Sequence, residues 1–222
     1  MNDTQSDPAA ARVALVTGAS RGLGFALASA LGAAGWHVIA VARTVGGLEE
    51  LDDRIQAAGG QATLAPMDIA DDKAMIHLAQ SIAGRWGGLG LWVHAAIHAA
   101  PLAPAGSLDL KDLDKCLATN IRATASLIPL VEPLLRVRGG TALFLDDPRG
   151  GERFFGAYGA TKAAQIALAQ SWQAETARIG PRVVIATPRP MATATRARFY
   201  PGEDRAALAD IHDEARRLIA TL

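Results

Sequence analysis

Cysteine is almost absent: Cys116 is the single one in 222 residues. No internal disulfide can form, and a reducing, cytoplasmic compartment is the simplest setting. An excess of one charge is absent too, since 22 Lys and Arg balance 22 Asp and Glu. That removes the basic excess of a nucleic-acid binder and the polybasic patch of a membrane-surface protein. No apolar run approaches the roughly 18 residues of a membrane-spanning helix. Residues 1–11 carry no Lys or Arg, and no apolar h-region of a secretory signal follows them. They read as a short disordered tail, not a secretory signal. No metal site is expected.

What is present is a soluble α/β pattern. Apolar runs at residues 13–17, 38–42, 89–95, 141–145 and 183–187 are nearly continuous, with a weaker one at 62–67. Unbroken apolar runs of this length suit parallel strands covered on both faces. Helix-like stretches at 22–34, 48–58, 71–85, 110–136 and 157–178 separate them, and a last one covers 203–222. Gly35, Gly59, Gly87 and Gly139 stand where helix C-termini need glycine. Pro129 and Pro133 are expected to kink or shorten the fourth helix. The alternation predicts a Rossmann-type α/β fold: a doubly wound parallel sheet of six main strands in three α/β/α layers. With no repeat or linker, residues 12–222 read as one domain.

Thr17-Gly18-Ala19-Ser20-Arg21-Gly22-Leu23-Gly24 joins the first strand to the first helix. Glycines there let a backbone approach a phosphate, and the helix N-terminus offers free N–H groups to it. The second strand ends in Val41-Ala42-Arg43-Thr44, and the first acid after it is Glu49. An acid at that strand end would favour NAD; Arg43 with Arg21 favours the 2′-phosphate of NADP. Arg43 as a solvated surface charge is the plainer alternative. Tyr158 and Lys162 are spaced i, i+4, one turn apart on one helix face. An ammonium near a tyrosine favours phenolate, which suits proton exchange with a carbonyl or alcohol.

These motifs, in this order, resemble the short-chain dehydrogenase/reductase family over about residues 12–193. The resemblance implies an NADP(H)-dependent oxidoreductase, NAD(H) being the lesser alternative. It would transfer hydride between nicotinamide and a small-molecule carbonyl/alcohol pair. It implies cofactor contacts from Gly18, Ser20, Arg21, Gly22, Leu23, Gly24, Arg43, Thr44, Ala95, Pro188 and Thr193, with Asp68 beside the adenine. A helix N-cap is an equal reading of Asp68. Tyr158 would be the acid/base, Lys162 its ribose-holding partner, and Asn120 the anchor of a proton-relay water. Relatives pair through helices corresponding to 110–136 and 157–178. The chain stops at Leu222, with no counterpart to the usual seventh strand, so a homodimer is expected over a tetramer.

Three departures stand out. Asp147 takes the place of the catalytic serine if Gly150 is matched. A serine donates a hydrogen bond, whereas an ionised aspartate only accepts. A protonated aspartate could still donate. His94 stands in the run after the fourth strand, as a ligand contact or a satisfied structural histidine. Arg189 replaces the glycine after Pro188. The alternative reading is therefore a binding-only member with impaired catalysis.

Overall fold

The computed structural model describes residues 12–222. The tail expected over residues 1–11 lies outside the described residues. Six parallel strands form one sheet in the order β3-β2-β1-β4-β5-β6. They are β1 (Val13–Thr17), β2 (His37–Ala42), β3 (Gln61–Pro66), β4 (Leu91–His94), β5 (Thr141–Leu145) and β6 (Arg182–Ala186). The chain reverses its direction of travel across the sheet between β1 and β4. In open α/β sheets the crevice beyond that point receives ligands.

Successive residues of each strand serve opposite faces. Val13 and Leu15 of β1 join one buried cluster, while Ala14 and Val16 join the other. The first face packs α3 (Asp72–Trp86), α5 (Ala123–Arg138) and α6 (Gly156–Thr176). The second packs α1 (Gly22–Ala33), α2 (Val45–Ala57) and α8 (Ile211–Ile219). Short helices α4 (Leu110–Cys116) and α7 (Ala194–Phe199) flank the crevice. No helix among the described residues is long and apolar enough to cross a membrane.

Several sequence expectations need correcting. Strand β4 is shorter than residues 89–95, because the Leu89 N–H bonds to the Leu134 carbonyl outside the sheet. Helix α2 begins at Val45, three residues early. Gly46 and Gly47 fall in its first turn, and Gly47 is needed there. A Cβ there would lie 2.5 Å from the Ser20 carbonyl oxygen. The stretch 110–136 divides into α4, a π-helical turn at Leu117–Arg122, and α5. Pro129 and Pro133 lie inside α5 without ending it, so the irregularity falls upstream of both. The last stretch holds only a 3₁₀ turn at Arg205–Ala207 and α8.

Candidate active site

The crevice beyond β1 and β4 is a cavity of about 420 Å³. Its cofactor-like end is built by the glycine turn. Gly18 has φ +80°, and a Cβ there would lie 2.6 Å from the Ala96 nitrogen. A Cβ on Gly24 would lie 2.3 Å from the Gly18 carbonyl oxygen. Only glycine allows the turn to fold this tightly against the β4 end. No side chain caps α1, so its first N–H groups stay open toward the crevice. This cradle fits a dinucleotide phosphate by shape and polarity.

Ser20, Arg21, Gly22, Leu23, Arg43, Thr44, Asp68, Ala95, Pro188 and Thr193 line the same cavity. Arg43 lies 3.6 Å from Asp68, and both side chains are largely exposed. Arg21 has no ion pair among the described residues and is also exposed. Asp68 is not a helix cap: its carboxylate accepts from the Ala70 N–H, while Asp71 caps α3. Thr193 caps α7 through its hydroxyl and still faces the cavity.

The other end holds the titratable groups. The Tyr158 hydroxyl donates to Asp147 Oδ2 at 3.0 Å, and Arg149 Nε donates to Asp147 Oδ1 at 3.0 Å. Asp147 therefore does sit against the tyrosine, whatever the loop register. Burial first, and the Asp147 charge second, push the Tyr158 phenol well above its ordinary range. Tyr158 stays protonated and is poorly prepared to act as a phenolate base. Burial lowers Lys162 to about 8, opposed by the charges of Asp146 and Asp147.

Lys162 Nζ donates to Gln165 Oε1 at 2.7 Å. Gln165 Nε2 donates to the Thr124 hydroxyl, which lies 2.9 Å from His94 Nε2. His94 Nδ1 lies 2.8 Å from the Thr17 hydroxyl. Burial, reinforced by Lys162, drives His94 down to about 3, so it is neutral. Both ring nitrogens are satisfied, which makes it a structural histidine although its edge reaches the cavity wall. This buried polar chain fixes the lysine from behind.

Asn120 is the one expected site residue that does not line the cavity. It is fully buried in the π-helical turn. Its Oδ1 accepts from the His98 N–H, and its Nδ2 donates to the His98 carbonyl and to Thr161. Its backbone carbonyl accepts from Thr124. The side chain thus clamps a cavity-lining loop onto α6.

Sequence reasoning missed Asp146, Arg149, Gln165 and Glu214. Gln165 could have been noticed as a polar residue three positions after Lys162 in an apolar stretch. Glu214 gives no local signal. Its carboxylate accepts from the Arg189 N–H at 2.9 Å, Arg189 Nε at 2.6 Å and Arg217 Nε at 3.0 Å. That contact ties α8 to the loop after β6, and Arg189 performs it where glycine was expected.

The sequence matches the short chain dehydrogenase family over residues 12–204. It is 32% identical over 168 residues to a fatty acyl-CoA reductase of Acinetobacter baylyi, covering 74% of this chain and 57% of the reductase. Alignments to six such curated relatives span only 50–59% of the relatives' own length. A probable NADP-dependent dehydrogenase of Haemophilus influenzae is 29% identical over 201 residues, covering 87% of this chain and 78% of that protein. Among solved structures, a putative short chain dehydrogenase from Pseudomonas syringae superimposes with a TM-score of 0.86 at 30% identity, covering 96% of this chain and 90% of that one. A putative short chain dehydrogenase from Shigella flexneri complexed with NADP gives 0.83 at 27%, covering 91% of this chain and 87% of that one.

Proposed function

The chain belongs to the short-chain dehydrogenase family, and from that membership we propose an NADP(H)-dependent oxidoreductase working on a carbonyl/alcohol pair. The observation that carries this reading is one cavity with a phosphate cradle at one end and the Tyr158–Lys162 pair at the other. Gly18, Gly22 and Gly24 with the α1 N-terminus would hold the pyrophosphate. Arg43 and Arg21 would take the 2′-phosphate, which favours NADP over NAD. The NADP found in the Shigella relative supports that choice. When bound, a nicotinamide supplies a hydride donor or acceptor.

This chain's residues do the rest. Tyr158 presents its hydroxyl to the reacting oxygen as a proton donor. Its raised pKa favours the reductive direction, in which the tyrosine starts protonated. Lys162, held by Gln165, has two further N–H donors to spend on ribose hydroxyls. Asn120 keeps the His98 loop and α6 in register. Self-association as a homodimer through α4–α5 and α6 belongs to the same reading. So does a cytoplasmic setting, in keeping with the lone, buried Cys116.

The experiment is NADPH binding followed by tryptophan fluorescence, together with NADPH oxidation over a carbonyl panel. Tyr158→Phe should bind NADPH as the parent does while turnover falls by about 10²–10⁴-fold, the usual worth of a positioned proton donor. An unchanged rate would reject Tyr158 as the donor. Failure to bind NADPH would reject the whole reading.

A further inference from the structure

Resting on that reading, we propose that the substrate is an oxo acid whose carboxylate, several carbons away from the reacting carbonyl, is bound by Arg198. Six arginines line the cavity. Four of them already face a carboxylate: Arg43 meets Asp68, Arg149 meets Asp147 and Glu152, Arg189 meets Glu214, and Arg196 meets Glu203. Arg21 and Arg198 have no such partner among the described residues. Arg21 stands at the phosphate cradle, where the cofactor would occupy it. Arg198 stands at the other end, next to Phe199, whose ring centre lies 5.1 Å from that of Tyr158.

The guanidinium of Arg198 is held in place yet open. Its Nη1 donates to the Ala99 carbonyl at 2.6 Å. Asn120 fixes the preceding residue, His98, through both of its backbone groups. The clamp that orders this loop therefore also sets the arginine. Among the described residues nothing bonds Nε or Nη2 of Arg198. Those two nitrogens form a planar fork that takes both oxygens of one carboxylate. The Asp112 charge reaches Arg198 and His98, but its carboxylate bonds Lys115 at 2.9 Å.

Asp147 sets where the acid group must lie. Its carboxylate already touches the Tyr158 hydroxyl, at 3.0 Å. A substrate carboxylate adjacent to the reacting carbonyl would meet that like charge. One carried several carbons away escapes it and reaches Arg198. Ala99 and Phe199, beside Arg198 in the cavity wall, join Tyr158 in one apolar cluster. That lining suits a hydrocarbon spacer between the two polar ends. In the reduction the carbonyl carbon takes a hydride from the reduced nicotinamide, and the oxygen takes the Tyr158 proton. Tyr158 regains its proton from solvent, and the substrate carboxylate is unchanged.

The test compares 5-oxohexanoate, its methyl ester and 2-oxohexanoate, at low ionic strength because Arg198 is exposed. Calorimetry on the protein with NADP⁺, which has no hydride to give, should show 5-oxohexanoate binding at least tenfold tighter than its ester. That is the usual worth of one charge-assisted bond. With NADPH, kcat/KM should favour the acid over the ester, mainly through KM. It should also favour 5-oxohexanoate over 2-oxohexanoate by at least tenfold. Arg198→Gln should remove the preference for acid over ester and Arg198→Lys should keep part of it. NADPH binding by both variants, equal to the parent's, shows that they fold. Equal binding of acid and ester by the parent, or the same preference in Arg198→Gln, overturns the inference. Equal reduction of the two oxo acids overturns the placement of the carboxylate away from Asp147. Ketones reduced with no preference for acids overturn the inference alone and leave the carbonyl reading standing. Selective acid binding with no carbonyl reduced supports the Arg198 subsite and overturns the carbonyl reading. Absent NADPH binding by the parent removes both.

Discussion

Replacing Glu214 by glutamine removes one charge and almost no volume, at a position where the side chain is completely shielded. Four charge-assisted bonds converge on this carboxylate, from the Arg189 backbone and side chain and from Arg217. The hydrogen bonds of Arg217 and then those of Arg189 hold the carboxyl at about 2 against an ordinary 4.5, although burial works the other way. A difference of that size corresponds to roughly 3 kcal/mol between the two protonation states. Both arginine side chains are about half exposed, at 54% and 43%. Solvent screens such pairs, so the expected loss in Glu214→Gln is about 1–2 kcal/mol at pH 7. For a chain of this length that is a fall of about 2–8 °C in Tm. The pKa is depressed on folding, so the stabilisation is present above about pH 4.5 and is lost as pH falls toward 2. Urea unfolding at pH 7 and pH 3 measures this directly. The gap between the two proteins should narrow at pH 3. A gap under about 0.5 kcal/mol at pH 7, or one of equal size at both pH values, would refute this account of how α8 is held.

Two substitutions probe the other end of the cavity. Gly24→Ala places a methyl 2.3 Å from the Gly18 carbonyl oxygen, which is backbone and cannot swing aside. It should cost about 1–3 kcal/mol and weaken NADPH binding more than tenfold. Gly22→Ala meets nothing within 4 Å and should pay only the left-handed backbone penalty, about 1–2 kcal/mol. Thermal melts and NADPH titration of both separate collision from conformation. Arg43→Asp should weaken NADPH by about 10²-fold and leave NADH nearly unchanged, in keeping with one or two lost charge-assisted bonds. Equal affinity of the parent for the two cofactors would reject the assignment of Arg43.

What the sequence determined by itself was whatever depends on neighbours along the chain. Each strand is a short apolar run because both its faces are buried, and that needs no partner to be known. The turn from Gly18 to Gly24 and the i, i+4 pair Tyr158–Lys162 are likewise local, fixed by backbone geometry within one or two turns. Their meeting in one cavity followed from strand order. The tertiary structure alone decided which groups those residues touch. Asp147 reaches Tyr158 across a loop whose path no periodicity encodes. Asn120 was legible as a polar residue in an apolar stretch. Its role as a clamp depends on Thr161, 41 residues away, and on the extra width of a π-helical turn. Gln165 and His94 became one chain with Lys162 only because β4, α5 and α6 pack side by side. Glu214 meets Arg189 from 25 residues away, and only docking of α8 brings them together. Hydrogen bonds and charge pairs between distant elements are set by packing, and packing is a property of the whole core.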